Sequence, residues 1–107
     1  MSAQTTLGWA FRSSVSFDEM KRRLDSAGPQ PWVVGDSAYH GDYLGGKLTP
    51  ETFARIYEVQ DGFVVNLRLF SAEGDPISQL AKATDDLLKR VLPLVEARDI
   101  RSTDPLE

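Results

Sequence analysis

TFARIYEVQ-DG-FVVNLRLF, residues 52–70, is the stretch of sequence that decides the fold of this chain. β-Branched and aromatic residues fill both halves, and the dipeptide between them, Asp61-Gly62, favours a tight type I′ turn. We therefore predict a β-hairpin. A second interpretation stays open for residues 50–60, because Thr49-Pro50-Glu51 is also typical of a helix start. The β-rich composition of Arg55–Val59 favours the strand.

A two-residue turn at Asp61-Gly62 sets the register of the predicted hairpin. The residues expected to lie opposite each other are Val59 and Val64, Tyr57 and Asn66, Ile56 and Leu67, Arg55 and Arg68, and Phe53 and Phe70. Side chains alternate between the two faces of a strand, so one face is apolar and needs a cover. The other face then carries two arginines directly opposite each other.

The residues before the hairpin predict a strand, a helix and a second strand. Leu7–Arg12 alternates apolar residues with others, as a half-buried strand does. Ser16 and Glu19 have the spacing of a capping box, and an apolar stripe follows until Gly28-Pro29 ends the helix. Gln30–Ser37 has the composition of a strand.

The residues after the hairpin predict one long helix. Asp75 can cap it, Pro76 suits its first position, and an apolar stripe runs on to Val95. Pro93 lies inside this stripe. It lacks a backbone donor and clashes with the preceding turn, so the helix is expected to kink or restart there.

The predicted order, β-α-β-β-β-α, indicates an α+β fold. We expect a two-layer sandwich, with a mainly antiparallel sheet of three to four strands and two helices on one face. Residues 1–101 are expected to form a single domain, and residues 102–107 a polar C-terminal tail. The second face of the sheet is then open to solvent or to a partner.

Composition excludes several classes of function. The formal charge is −4, and the acidic residues are spread through the chain, which argues against nucleic-acid and anionic-membrane binding. The absence of cysteine excludes disulfides, zinc–thiolate sites and thiol catalysis. The start of the chain has no secretion signal, and no apolar run approaches the roughly 20 residues of a membrane helix. We expect a cytoplasmic protein.

The segment from Asp36 to Lys47 holds the residue types of a hydrolytic or metal site: Asp36, Ser37, His40 and Asp42. Catalytic triads are usually assembled from distant segments beside an oxyanion hole, whereas these residues crowd into one glycine-rich stretch typical of turns. We therefore predict no catalytic residue, no metal ligand and no cofactor. Gly41–Lys47 also resembles part of a phosphate-binding loop, but Leu48 stands where Ser or Thr would hold magnesium.

The predicted open face gives the strongest indication of binding. Two arginines in direct opposition repel each other, so local carboxylates or a partner should compensate them. Arginine and tyrosine are also enriched among the residues that dominate binding energy at interfaces. The candidate binding residues are Arg55, Arg68, Tyr57, Asn66, Phe53, Phe70, Tyr39, His40, Asp42 and Tyr43.

These residues favour a small non-catalytic domain that binds a protein partner through the open sheet face and residues 36–47. In size and acidity alone the chain resembles bacterial immunity and antitoxin proteins, and no motif connects it to a family. The alternative is a small enzyme or ligand-binding protein that uses Asp36, Ser37, His40 and Asp42. A homodimer through the same face is the third hypothesis.

Overall fold

The described part of the chain forms one sheet of six antiparallel strands. The computed structural model describes residues 6–28, 31–37, 41–49, 51–70 and 75–106. The strands are β1 (Thr6–Arg12), β2 (Val33–Ser37), β3 (Gly41–Thr49), β4 (Thr52–Val59), β5 (Gly62–Leu69) and β6 (Arg98–Thr103). Their order in the sheet is β2-β3-β4-β5-β1-β6. The α+β class is confirmed, and the expected number of three to four strands is wrong.

β3 and β6 are the two strands that were not predicted. β3 contains Gly45 and Gly46, which were interpreted as turn residues. A Cβ on Gly46 would lie 2.5 Å from the Trp32 ring, and one on Gly45 would lie 2.9 Å from the Phe53 ring. The glycines therefore let rings pack on both faces of a strand. β6 is exposed along its whole length, so its sequence carries no apolar alternation.

The central hairpin forms, but its turn lies one residue earlier than predicted, so each residue of β4 faces a residue of β5 two positions before the predicted one. β4 covers Thr52–Val59, so the strand interpretation of this segment is confirmed. Val59 lies opposite Gly62, which makes Gln60-Asp61 the turn. Arg55 lies opposite Asn66, and the predicted opposition of Arg55 and Arg68 is wrong.

Gly62 explains the shifted register. Its φ is +143°, a conformation that residues with a side chain rarely adopt. A Cβ at this position would also lie 2.6 Å from the carbonyl oxygen of Phe11 on β1. Gly62 is therefore needed as the first residue of β5, where β1 approaches closely, and it is unavailable as the second turn residue.

Gly62→Ala should lower the free energy of unfolding by about 2–3 kcal/mol, because it adds a steric clash to a strained φ. Gly41→Ala is the matched control. Gly41 also has a positive φ, +78°, but a Cβ added there would have no neighbour within 4 Å. The control should lose only about 1 kcal/mol. Urea denaturation of both variants measures the difference, and equal losses would contradict the role given to Gly62.

The first helix, α1 (Phe17–Ala27), begins where the sequence predicted. The backbone N–H of Glu19 donates to Ser16 Oγ at 3.2 Å. The Glu19 carboxylate does not complete the capping box, because it pairs with Arg22 and Arg23 instead. Asp25 joins α1 to the sheet by accepting the backbone N–H of Trp32 at 2.6 Å.

The second helical body changes form before Pro93, as predicted. α2 (Pro76–Asp86) starts with Asp75 as its cap and continues through a π-helical turn (Leu87–Val91) into the short α3 (Leu92–Leu94). The N–H of Leu92 donates to the carbonyl of Leu87, five residues earlier. No helix in the described part of the chain is long and apolar enough to cross a membrane.

The core lies between the helices and one face of the sheet. Ile56, Val65 and Leu67 of the hairpin are fully buried in one cluster with side chains from both helical bodies. From the helices, this cluster includes Met20, Leu24, Ala83, Leu87, Val91 and Leu92. The predicted cover of the apolar hairpin face is therefore confirmed, and the opposite face of the sheet carries the candidate site.

Candidate functional site

The face of the sheet opposite the helices, which we call the open face, brings arginines and aromatic residues together. Tyr57 of β4 lies between Tyr43 of β3 and Val64 of β5. Arg55 lies between Gly45 and Asn66 in the next row. Directly opposite residues of neighbouring strands point to the same face, so these side chains form one continuous surface.

Arg55 is held by two aromatic rings of this surface. Its guanidinium carbon lies 4.6 Å from the centre of the Tyr43 ring and 5.8 Å from that of Phe53. The Tyr43 and Tyr57 rings are 5.4 Å apart, and those of Phe53 and Phe70 are 5.7 Å apart. Cation–π and ring contacts of this kind fix the orientation of the guanidinium before any partner arrives.

Two glycines make room for the rings. A Cβ on Gly35 would lie 2.2 Å from the Tyr43 ring, and one on Gly45 would lie 2.9 Å from the Phe53 ring. Each ring therefore lies close against the backbone of a glycine. Tyr43 and Phe53 consequently pack close to the sheet backbone, and the space above their rings stays open.

A pocket of about 160 Å³ opens among these residues. Six of the predicted binding residues line it, together with Thr6 and Leu106: Phe53, Arg55, Tyr57, Asn66, Arg68 and Phe70. Pockets for drug-sized molecules are about 300–1,000 Å³. The volume here is smaller and suits a group of about the size of one side chain.

The C-terminal segment, residues 104–106, reaches this pocket. The Asn66 side chain binds the backbone of Leu106 twice: Nδ2 donates to the carbonyl oxygen at 2.6 Å, and Oδ1 accepts the N–H at 3.0 Å. A Cβ on Gly8 would lie 2.7 Å from the Pro105 nitrogen, so the segment lies directly on β1. Sequence reasoning missed this contact. A glycine inside a strand, here Gly8, is the one signal of close backbone approach.

Positive charge collects on the open face although the chain is acidic overall. The strand register directs Arg12, Lys47, Arg55, Arg68 and Arg101 to this face. No carboxylate occupies a register position there within the described strands. Asp99, at the irregular start of β6, lines a second depression with Arg12 and Arg101.

In the helical layer, in contrast, every described cation except Lys82 pairs with a carboxylate. The ion pairs are Lys21–Asp25, Arg22–Glu19, Arg23–Glu19, Arg23–Glu96, Lys89–Asp85 and Arg90–Asp86. The hydrogen bond from Arg23 lowers the pKa of Glu19, and the one from Lys21 lowers the pKa of Asp25. Lys47 and Arg68 make no ion pair with any residue that the structure describes.

The other candidate residues lie in and around the β2–β3 hairpin. Asp36 and Asp42 are directly opposite each other and exposed, on the face away from Ser37 and Tyr43. Ser37 and the two carboxylates therefore point to opposite sides of the sheet. Tyr39 and His40 lie outside the described residues, so the predictions that involve them stay predictions.

The described residues contain no cluster of three or more histidine, cysteine or acidic side chains that could hold a metal ion. No protein-family model, curated protein or solved structure matches this chain. The open face, with its oriented arginine and its side-chain-sized pocket, is the surface on which a function can be argued.

Proposed function

We propose that this protein is a non-catalytic cytoplasmic interaction domain that binds an acidic protein partner through the open face. One observation carries the proposal: in a chain of formal charge −4, the sheet face opposite the helices presents at least five cations on its strands, and the carboxylates that reach it in the described residues, Asp61 and Asp99, lie together at one depression. A surface with an excess of positive charge attracts an acidic partner and orients it before contact.

The aromatic residues support the same proposal. Arginine, tyrosine and other aromatic residues supply much of the binding energy at protein interfaces. Tyr43 and Phe53 are packed against neighbouring rings or glycines, so little side-chain freedom remains to be lost on binding, and the fully buried Tyr57 supports Tyr43. Tyr43 also extends the surface into residues 36–47, the segment that the sequence associates with the site.

A charge-reversal pair tests the proposal. Lys47 and Arg68 flank Phe53 in one row of the open face, and both are exposed. We expect Lys47→Glu/Arg68→Glu to keep the fold and to reduce the amount of captured partner at least about tenfold. Charges at the rim of an interface speed the association of the two proteins and fix their relative orientation. The measurement is affinity capture from a lysate of the source organism at low salt, read by mass spectrometry.

Lys82→Glu/Lys89→Glu is the matched control, since it makes the same change in net charge on the helical layer. The control should retain the partner, and raising the salt concentration should weaken capture by the wild type. Retention of the same partner by the open-face variant would refute the proposal. If light scattering shows a dimer that Lys47→Glu/Arg68→Glu dissociates, the partner is a second copy of the chain.

A further inference from the structure

We propose that the pocket on the open face binds an extended peptide that carries an acidic residue, and that residues 104–106 occupy this site until such a peptide displaces them. The inference rests on the proposed function. It adds the local chemistry of the partner and a mechanism that regulates access to the face.

Asn66 provides the recognition of peptide backbone. Its carboxamide donates to the carbonyl and accepts from the N–H of a single residue, Leu106, with distances of 2.6 and 3.0 Å. Both bonds go to backbone groups, so any extended residue except proline offers the same two groups. Asn66 is only 8% exposed, and a buried carboxamide without partners is costly. Asn66 is therefore most stable when a backbone segment bonds to its side chain, and a ligand must compete with residues 104–106 for these bonds.

The residues around Asn66 indicate which groups would let a peptide bind more tightly than residues 104–106. Phe53 and Phe70 offer an apolar wall for one side chain in the pocket that Leu106 also lines. Arg68 lines the same pocket and makes no ion pair with a described residue while the segment is bound. Asp104 makes no ion pair with a described residue, because β6 fixes its position. A free peptide can shift its carboxylate to Arg68 and gains a charge-assisted bond that the tethered segment does not make.

The resident segment is held weakly enough to leave. Asp104 is exposed, Leu106 is half-buried, and the adjoining β6 is exposed at all six positions. Segments with few buried apolar contacts open at little cost in free energy. Because the segment is tethered, it competes at an effective concentration of roughly millimolar, which weakens an external peptide without preventing its binding.

Leu106→Pro in the full chain separates the segment from the site. Proline lacks the N–H that Asn66 accepts, so the variant weakens the resident segment and leaves Asn66 intact. The probes are the peptide Ser-Thr-Asp-Pro-Leu-Glu, acetylated at the N-terminus and amidated at the C-terminus, and its uncharged analogue Ser-Thr-Asn-Pro-Leu-Gln with the same blocked ends. Asn66 is the only asparagine in the chain, so its side-chain amide signals in a ¹⁵N spectrum report binding directly.

We expect the acidic peptide to bind Leu106→Pro about tenfold more tightly than the wild type, and the uncharged analogue to bind more weakly than the acidic one. Asn66→Ala in the Leu106→Pro background should abolish binding. Leu106→Gly is a second releasing variant, which keeps the N–H and removes the side chain that lines the pocket. A melting temperature for each variant confirms that the fold is retained.

Three results would overturn the inference. Equal affinity of the wild type and both releasing variants would mean that residues 104–106 do not occupy the site. Absence of peptide binding to the folded variants at millimolar concentration would exclude an extended peptide as the ligand. Tighter binding of an oligothymidylate than of the acidic peptide would indicate a nucleic-acid face. The first two results leave the capture experiment with Lys47→Glu/Arg68→Glu unaffected, so the proposed function is judged separately.

Discussion

Gly46→Val should lower the free energy of unfolding by about 3 kcal/mol and the melting temperature by about 15 °C. A Cβ at this position alone would lie 2.5–2.9 Å from three atoms of the Trp32 ring. Trp32 is 5% exposed and belongs to the core cluster, so the rigid ring has no free space to enter. The added methyl groups must therefore expel the indole or spread β3 from the residues that cover it.

Gly45→Val is the control for this prediction. Gly45 is the next residue of the same strand, and its nearest obstacle is the outer edge of the Phe53 ring, 2.9 Å away on the open face. Phe53 can turn towards solvent, so the expected loss is about 1 kcal/mol. Urea denaturation followed by tryptophan fluorescence measures both. Trp32→Ala should lower the free energy of unfolding much less in the Gly46→Val background than in the wild type. If the losses of the two substitutions are additive, the proposed clash between the added valine side chain and Trp32 is contradicted.

Leu87→Ala should lower the free energy of unfolding by about 3 kcal/mol. Leu87 opens the π-helical turn and is fully buried. The turn brings Val91 and Leu92, two adjacent residues, into the same cluster. Truncation at Leu87 therefore leaves a cavity at a position where the helix is already constrained by Pro93, and relaxation into the cavity is limited.

Ile77→Ala provides the comparison on the same helical body. Ile77 is 77% exposed, and its truncation should change the free energy of unfolding by less than about 0.5 kcal/mol. Chemical denaturation followed by circular dichroism measures both variants. Similar losses for Leu87→Ala and Ile77→Ala would show that the cluster does not hold this helix.

Local sequence signals predicted the elements that form through nearby contacts. Ser16 and Asp75 start their helices as expected, since a cap acts on backbone groups within one turn. Pro93 acts within one turn too, and the change of helix type before it is confirmed. The hairpin was predicted because its two strands are adjacent in sequence.

Features that depend on distant contacts were missed or misplaced. The register of the hairpin is decided by the approach of β1 to Gly62, which the hairpin sequence does not contain. β3 was missed because its glycines accommodate rings from Trp32 and Phe53, and a local pattern cannot distinguish such glycines from turn glycines. Six residues of the candidate pocket were still predicted together, because strand alternation alone places them on one face.

The position of β1 in the sheet has a consequence for the order of folding. β2, β3, β4 and β5 follow one another in the chain and in the sheet, so each pair can form by closing a short loop. β1 pairs with β5 about sixty residues later and with β6 about ninety residues later, and such distant pairings form slowly. We expect the four-strand meander to appear first during refolding. The first strand of the chain then docks late, and the last strand can join only after it.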